Sequence, residues 1–104
     1  MRTEVFYSNR ETVNPAAEMG KLTNLNNFLK ANTETKVAIT GYADVQTGNP
    51  RINMEYSKGR AEGVAKALTD AGIDAARITV DAKGDTVQPF AENDKNRVSI
   101  CLAK

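Results

Sequence analysis

A chain of 104 residues, 40% hydrophobic and 26% charged, can fill one hydrophobic core but not two, because single cores organise roughly 100–150 residues. Fourteen Lys and Arg against thirteen Asp and Glu leave a formal charge of +1, which gives no net field to gather nucleic acid or an anionic membrane, and no run approaches the ~20 apolar residues of a membrane-crossing helix. With no histidine and one cysteine, Cys101, an internal disulfide, a multi-cysteine metal site and the commonest neutral-pH base are all excluded, so neither metal nor cofactor is expected.

In chain order, Glu4 to Ser8 is a short aromatic strand. Asn14-Pro15 has the form of an N-cap followed by proline at the first helical position, where a missing N–H costs nothing. The helix it predicts carries Met19, Leu22, Leu25, Phe28 and Leu29 as its apolar stripe, with Lys21, Asn24 and Asn27 on the wet side, and ends near Ala31. Lys36 to Thr40 alternates as a strand that places Val37 and Ile39 on one face, and Gly41 ends it. After Pro50 the period changes to helical. Ile52, Tyr56, Ala61, Val64, Ala65 and Leu68 form the expected buried face, and Gly72 the left-handed stop. Gly59 and Gly63, inside that helix, predict a close approach by another backbone.

A strand follows at Ile78 to Asp81, then a loop from Gly84 to Asn96, then a last strand on which Val98, Ile100 and Leu102 share a face. Cys101 lies in that alternating run with no His or helix start beside it, and reads as a strand position rather than a nucleophile. Strand, helix, strand, helix, strand, strand describes an α+β two-layer sandwich, with two helices on one face of a small mixed sheet.

Two charges stand out. Asp44 follows the second strand, and Arg60 rides on the helix that must pass that strand's end. A carboxylate matches an ammonium and a guanidinium fork matches a carboxylate, so the pair can grip an amino-acid zwitterion. The two can also pair with each other across the turn, and spacing alone favours that plainer arrangement.

Gly41-Tyr42-Ala43-Asp44, then Thr47-Gly48, Asn53, Ser57 and Arg60-Ala61 resemble the G-(H/Y)-(T/A)-D…T-G…N-x-x-L-S-x-x-R-A pattern of OmpA-like C-terminal domains. These are the peptidoglycan-binding modules of outer-membrane proteins, peptidoglycan-associated lipoproteins and flagellar stator proteins. Gly72-Ile73, Arg77-Ile78, Gly84-Asp85, Pro89 and Asn96-Arg97-Val98 extend the likeness from Glu4 to Leu102. The chain departs from the pattern at Tyr56, which replaces the leucine, and at Lys95-Asn96-Arg97-Val98, where many members have N-R-R-V.

The resemblance implies a βαβαββ sandwich that binds the diaminopimelate residue of the peptidoglycan stem peptide without catalysis. Asp44 would hold the ammonium and Arg60 a carboxylate. Asn9, Arg10, Ala43, Thr47, Asn53, Asn96 and Arg97 are secondary candidates, with Asn9 and Arg10 competing for one position after the first strand. It also implies a single periplasmic domain, residues 1–104, excised from a larger outer-membrane protein or lipoprotein whose signal and anchor lie outside this sequence. A protein-binding adaptor and, less favoured, a peptidoglycan-modifying enzyme are the alternatives, and homodimerisation is left open.

Overall fold

A computed structural model describes residues 1–104. Its elements are β1 (Arg2–Phe6), a 3-10 turn (Ala16–Glu18), α1 (Met19–Ala31), β2 (Val37–Tyr42), α2 (Pro50–Asp70), a 3-10 turn (Ala75–Arg77), β3 (Ile78–Ala82), a 3-10 turn (Asn93–Asn96) and β4 (Val98–Ala103). The expected order holds. The sheet runs β1-β4-β2-β3. β4 is antiparallel to both β1 and β2, while β2 and β3 are parallel, as a helical crossover between them requires.

Leu22, Leu25 and Leu29 of α1 and Ala61, Val64 and Leu68 of α2 pack on Val5, Tyr7, Val37, Ile39, Cys101 and Ala103 of the sheet. β4 therefore turns Cys101 and Ala103 to the helices, and Val98, Ile100 and Leu102 share the opposite face. Part of that outer face is covered: Phe90, in the loop before β4, sits 5.7 Å from Phe6, the cross-strand partner of Val98. Burial pushes the Cys101 thiol up to about 12, which removes it from reactive chemistry.

The start of the first helix differs from expectation. Asn14 does not cap it; its amide donates to the Gly63 carbonyl at 3.1 Å and its side-chain oxygen accepts from the Tyr7 hydroxyl at 3.3 Å. With that side chain committed elsewhere, Pro15 leads into a 3-10 turn and the α-helix begins only at Met19. The close backbone approach expected at the glycines of α2 is slight: a Cβ on Gly59 would meet the Thr12 side chain at 3.2 Å, and one on Gly63 would stand at ordinary contact distance, 3.4 Å, from the Thr12 carbonyl oxygen.

α2 begins as read. The Asn49 side chain accepts from the Ile52 amide at 3.0 Å ahead of Pro50. The helix closes at Gly72, whose φ of 102° suits glycine alone. Its buried stripe is Asn53, Ser57, Arg60, Ala61, Val64 and Leu68. Ile52 is exposed, while Tyr56 and Ala65 are half-buried.

Gly41 lies inside β2 and is where α2 crosses the sheet most closely. A Cβ there would fall 1.8 Å from the Ser57 carbonyl oxygen, a backbone atom that cannot swing aside. Gly41→Ala is expected to cost about 3 kcal/mol through forced separation of helix and strand. The check is a lowered denaturant midpoint with unchanged slope.

Candidate functional site

Four segments converge at the C-terminal ends of β1 and β2: the turn after β2, the third turn of α2, the loop after β1 and the loop before β4. The turn after β2 buries Asp44 to 2% exposure. Thr47 Oγ donates to both carboxylate oxygens at 2.8 and 2.9 Å, Asn93 Nδ2 to one at 3.0 Å, and Arg97 Nη1 stands 3.6 Å from the other. Burial pushes the Asp44 carboxyl up, but the hydrogen bonds from Asn93 and Thr47 and the Arg97 charge outweigh it and hold the group below its ordinary value of 3.8.

That depression has a consequence for stability. The folded chain holds fewer protons at Asp44 than the unfolded chain near the ordinary carboxyl range. Its contribution is therefore present above pH 3.8 and lost as pH falls through the lower folded value. Melts taken downward from neutral pH are expected to show an acid limb that Asp44→Asn flattens.

Arg60, 1% exposed, does not pair with Asp44. Its Nε donates to the Glu11 carbonyl at 2.8 Å, Nη1 to the Tyr42 carbonyl at 2.9 Å and Nη2 to the Ser8 carbonyl at 3.5 Å. The guanidinium lies 5.2 Å from the Tyr7 ring and 5.7 Å from the Tyr56 ring. Burial brings it down to about 10, and it stays charged at neutral pH. A guanidinium has five N–H groups, so after these three bonds about two face no protein acceptor.

The cation beside Asp44 is Arg97. Its Nε donates to the Tyr7 carbonyl at 3.1 Å, and Nη1 stands 3.4 Å from Asp94 as well as 3.6 Å from Asp44. Both ion-pair distances are long. The site thus sets one buried carboxylate beside two guanidinium groups.

The other candidates separate into two kinds. Asn53 Nδ2 donates to the Asp44 and Thr47 carbonyls at 3.3 and 2.8 Å and to the Asp85 carboxylate at 2.9 Å, which pins the turn to the β3–β4 loop. Asn96 bonds the Phe90 amide and the Phe90 and Glu92 carbonyls, shaping its own loop. Buried Ala43 uses both backbone groups, its amide to Gly84 and its carbonyl to Gln88. Ser57 receives the Gly84 amide at 2.9 Å. These residues hold the site in shape. Asn9 and Arg10 are exposed on the loop whose carbonyls grip Arg60, and Arg10 takes a left-handed φ of 64°.

Sequence reasoning missed Asn93 and Tyr7. The Tyr7 hydroxyl lies 3.0 Å from Ser99 Oγ and donates to the Arg60 carbonyl at 3.3 Å, and burial raises its phenol to about 12. Alternation could have marked Tyr7 as helix-facing together with Val5, whereas nothing in the polar run Glu92 to Asn96 distinguishes Asn93. A cavity of about 400 Å³ lined by Met1, Arg2, Thr3, Glu4, Lys21 and Asn24 is at the other end of β1.

Among proteins of known sequence, the chain is 42% identical over 67 residues, 64% of its length, to Outer membrane protein 40 of Porphyromonas gingivalis. It is 39% identical over 88 residues, 85% of its length, to the Probable lipoprotein YiaD of Escherichia coli. It spans 18% and 39% of those two relatives. Among solved structures it superposes on the peptidoglycan-associated lipoprotein of Burkholderia pseudomallei with a TM-score of 0.90 at 19% identity, covering 98% of this chain and 90% of that one. It superposes on the cell wall anchor of the T6SS from Pseudomonas aeruginosa with a TM-score of 0.75 at 23% identity, covering 97% and 80%. At these identities the likeness concerns the fold. The OmpA family model matches residues 5–99, nearly the whole of the sandwich and every residue of the Asp44 cluster, and the chain belongs to the OmpA family.

Proposed function

We propose that the chain is a non-catalytic peptidoglycan-binding domain that holds the diaminopimelate residue of the stem peptide at Asp44, Arg60 and Arg97 and so anchors a larger envelope protein to the cell wall. The observation that carries this reading is the charge set itself: a buried carboxylate beside two guanidinium groups. The free end of diaminopimelate offers the complement, an ammonium together with carboxylates, and charge-assisted hydrogen bonds to both are the strong ones. Asp44 takes the ammonium. Arg97, held by two long ion pairs, turns to a carboxylate, and Arg60 supplies its unclaimed N–H groups once the loop over it shifts.

Several findings support the assignment. The relatives named above are an outer membrane protein and a probable lipoprotein, and the structural neighbours include a peptidoglycan-associated lipoprotein and a cell wall anchor. A glycosidase would need two carboxylates flanking the scissile bond, whereas Asp44 faces cations. We place the domain in the periplasm as one unit, residues 1–104, of a membrane-anchored parent. Calorimetric titration with L-alanyl-γ-D-glutamyl-meso-diaminopimelate tests the proposal. Saturable binding is expected, weakened when lysine replaces diaminopimelate and removes the terminal carboxylate; absence of binding rejects it.

A further inference from the structure

We propose that Asn93 is a ligand-contact residue that makes the ammonium seat of Asp44 a two-acceptor seat, and that this is what lets the site read a free amine. The inference rests on the function proposed above. Asn93 Nδ2 donates to Asp44 Oδ2 at 3.0 Å and stands 3.4 Å from Asp94 Oδ1. A carboxylate only accepts, so the amide nitrogen is what meets Asp44, and the oxygen of the same planar group is left for another partner. That oxygen is buried and has no hydrogen-bond partner.

A buried acceptor left without a donor is costly, and such groups in folded proteins call for an explanation. Here the missing partner has a defined chemistry. It must donate hydrogen bonds, it must fit beside a buried anion, and a cation suits that place best. A primary ammonium has three N–H groups, and can give one to Asp44 and another to Asn93 Oδ1 in the same pose. The other buried side-chain acceptor without a partner, Asn26 Oδ1, borders an apolar groove formed by Met19, Leu22, Ala67 and Leu68, where no charge accompanies it.

The test compares two probes: the diaminopimelate tripeptide named above and the same peptide acetylated only at the diaminopimelate side-chain amine, its alanine amine left free. The wild-type chain is expected to favour the free amine. Asn93→Leu should weaken the free-amine peptide by about ten- to a hundredfold, the worth of a hydrogen bond to a charged group, while barely changing the acetylated one, so the ratio between probes collapses. Asn93→Gln, which keeps both an amide donor for Asp44 and an acceptor oxygen, should retain more of the preference than Asn93→Leu. Equal weakening of both probes by Asn93→Leu would mean that Asn93 only shapes its loop, and would overturn the inference. So would unchanged binding in Asn93→Leu where Asp44→Ala abolishes it, a result that leaves the proposed function standing. No binding of either probe by the wild-type chain overturns both.

Discussion

Arg60→Ala is expected to destabilise the chain by about 3–5 kcal/mol before any ligand is considered. The guanidinium is 1% exposed and ties three segments together through the carbonyls of Ser8, Glu11 and Tyr42. Hydrogen bonds from a charged donor contribute about 1.5–3 kcal/mol each, and removing the donor leaves the acceptors unsatisfied. The contacts with the Tyr7 and Tyr56 rings are lost as well. For a domain whose total stability is about 5–15 kcal/mol, that is a large share. The melting temperature should fall by roughly 15 °C, at about 4 °C per kcal/mol for a chain of this size. Arg60→Lys should recover only part of the loss, because a point ammonium cannot span acceptors that a planar fork reaches from different sides. A melting temperature within a few degrees of wild type would show that the loops hold together without Arg60. Its dual use also means that lost binding in Arg60→Ala must be compared with the folded fraction before it is assigned to ligand contact.

Asp44→Ala is expected to lose stem-peptide binding by about 2–5 kcal/mol, the cost of truncating one partner of a desolvated charge pair, which corresponds to roughly thirty- to several thousandfold in affinity. Asp44→Asn preserves the shape and an acceptor oxygen but not the charge, so it should remain well folded and still bind weakly. The pair of variants separates charge from packing. Affinity retained in Asp44→Asn would assign Asp44 to holding Thr47, Asn93 and Arg97 in place rather than to taking an ammonium.

The layer architecture was legible because it rests on periodicities that burial enforces. Alternation located β2 through Val37 and Ile39, and the spacing of Leu22, Leu25 and Leu29 located α1. What periodicity missed has one cause: it counts apolar residues, and this core is partly polar at the end where the site lies. The buried stripe of α2 begins with Asn53, Ser57 and Arg60, so a purely apolar count shifted the face onto Ile52 and Tyr56. The N-terminus of α1 was misread for a related reason. Asn14 is a good capping residue locally, but bonds to Tyr7 and Gly63 in distant elements claim it first.

The site was legible as a pattern and not as a geometry. The motif singled out Asp44 and Arg60, with Arg97 among its secondary candidates, and the fold brings the three side chains to one end of the sheet. The ion pair between Asp44 and Arg60 that spacing alone favoured does not form; backbone carbonyls claim Arg60, and Arg97 stands beside the carboxylate. Asn93 had no local signal at all, since its role depends on where the loop before β4 folds back.

The most direct test of the central claim is amide chemical-shift mapping on the isotopically labelled chain titrated with L-alanyl-γ-D-glutamyl-meso-diaminopimelate. Saturable shifts are predicted at Asp44 to Thr47, at Asn93 to Arg97 and at the Arg60 side-chain N–H. Shifts confined to the Met1–Lys21 cavity at the far end of β1, or none at all, would contradict it.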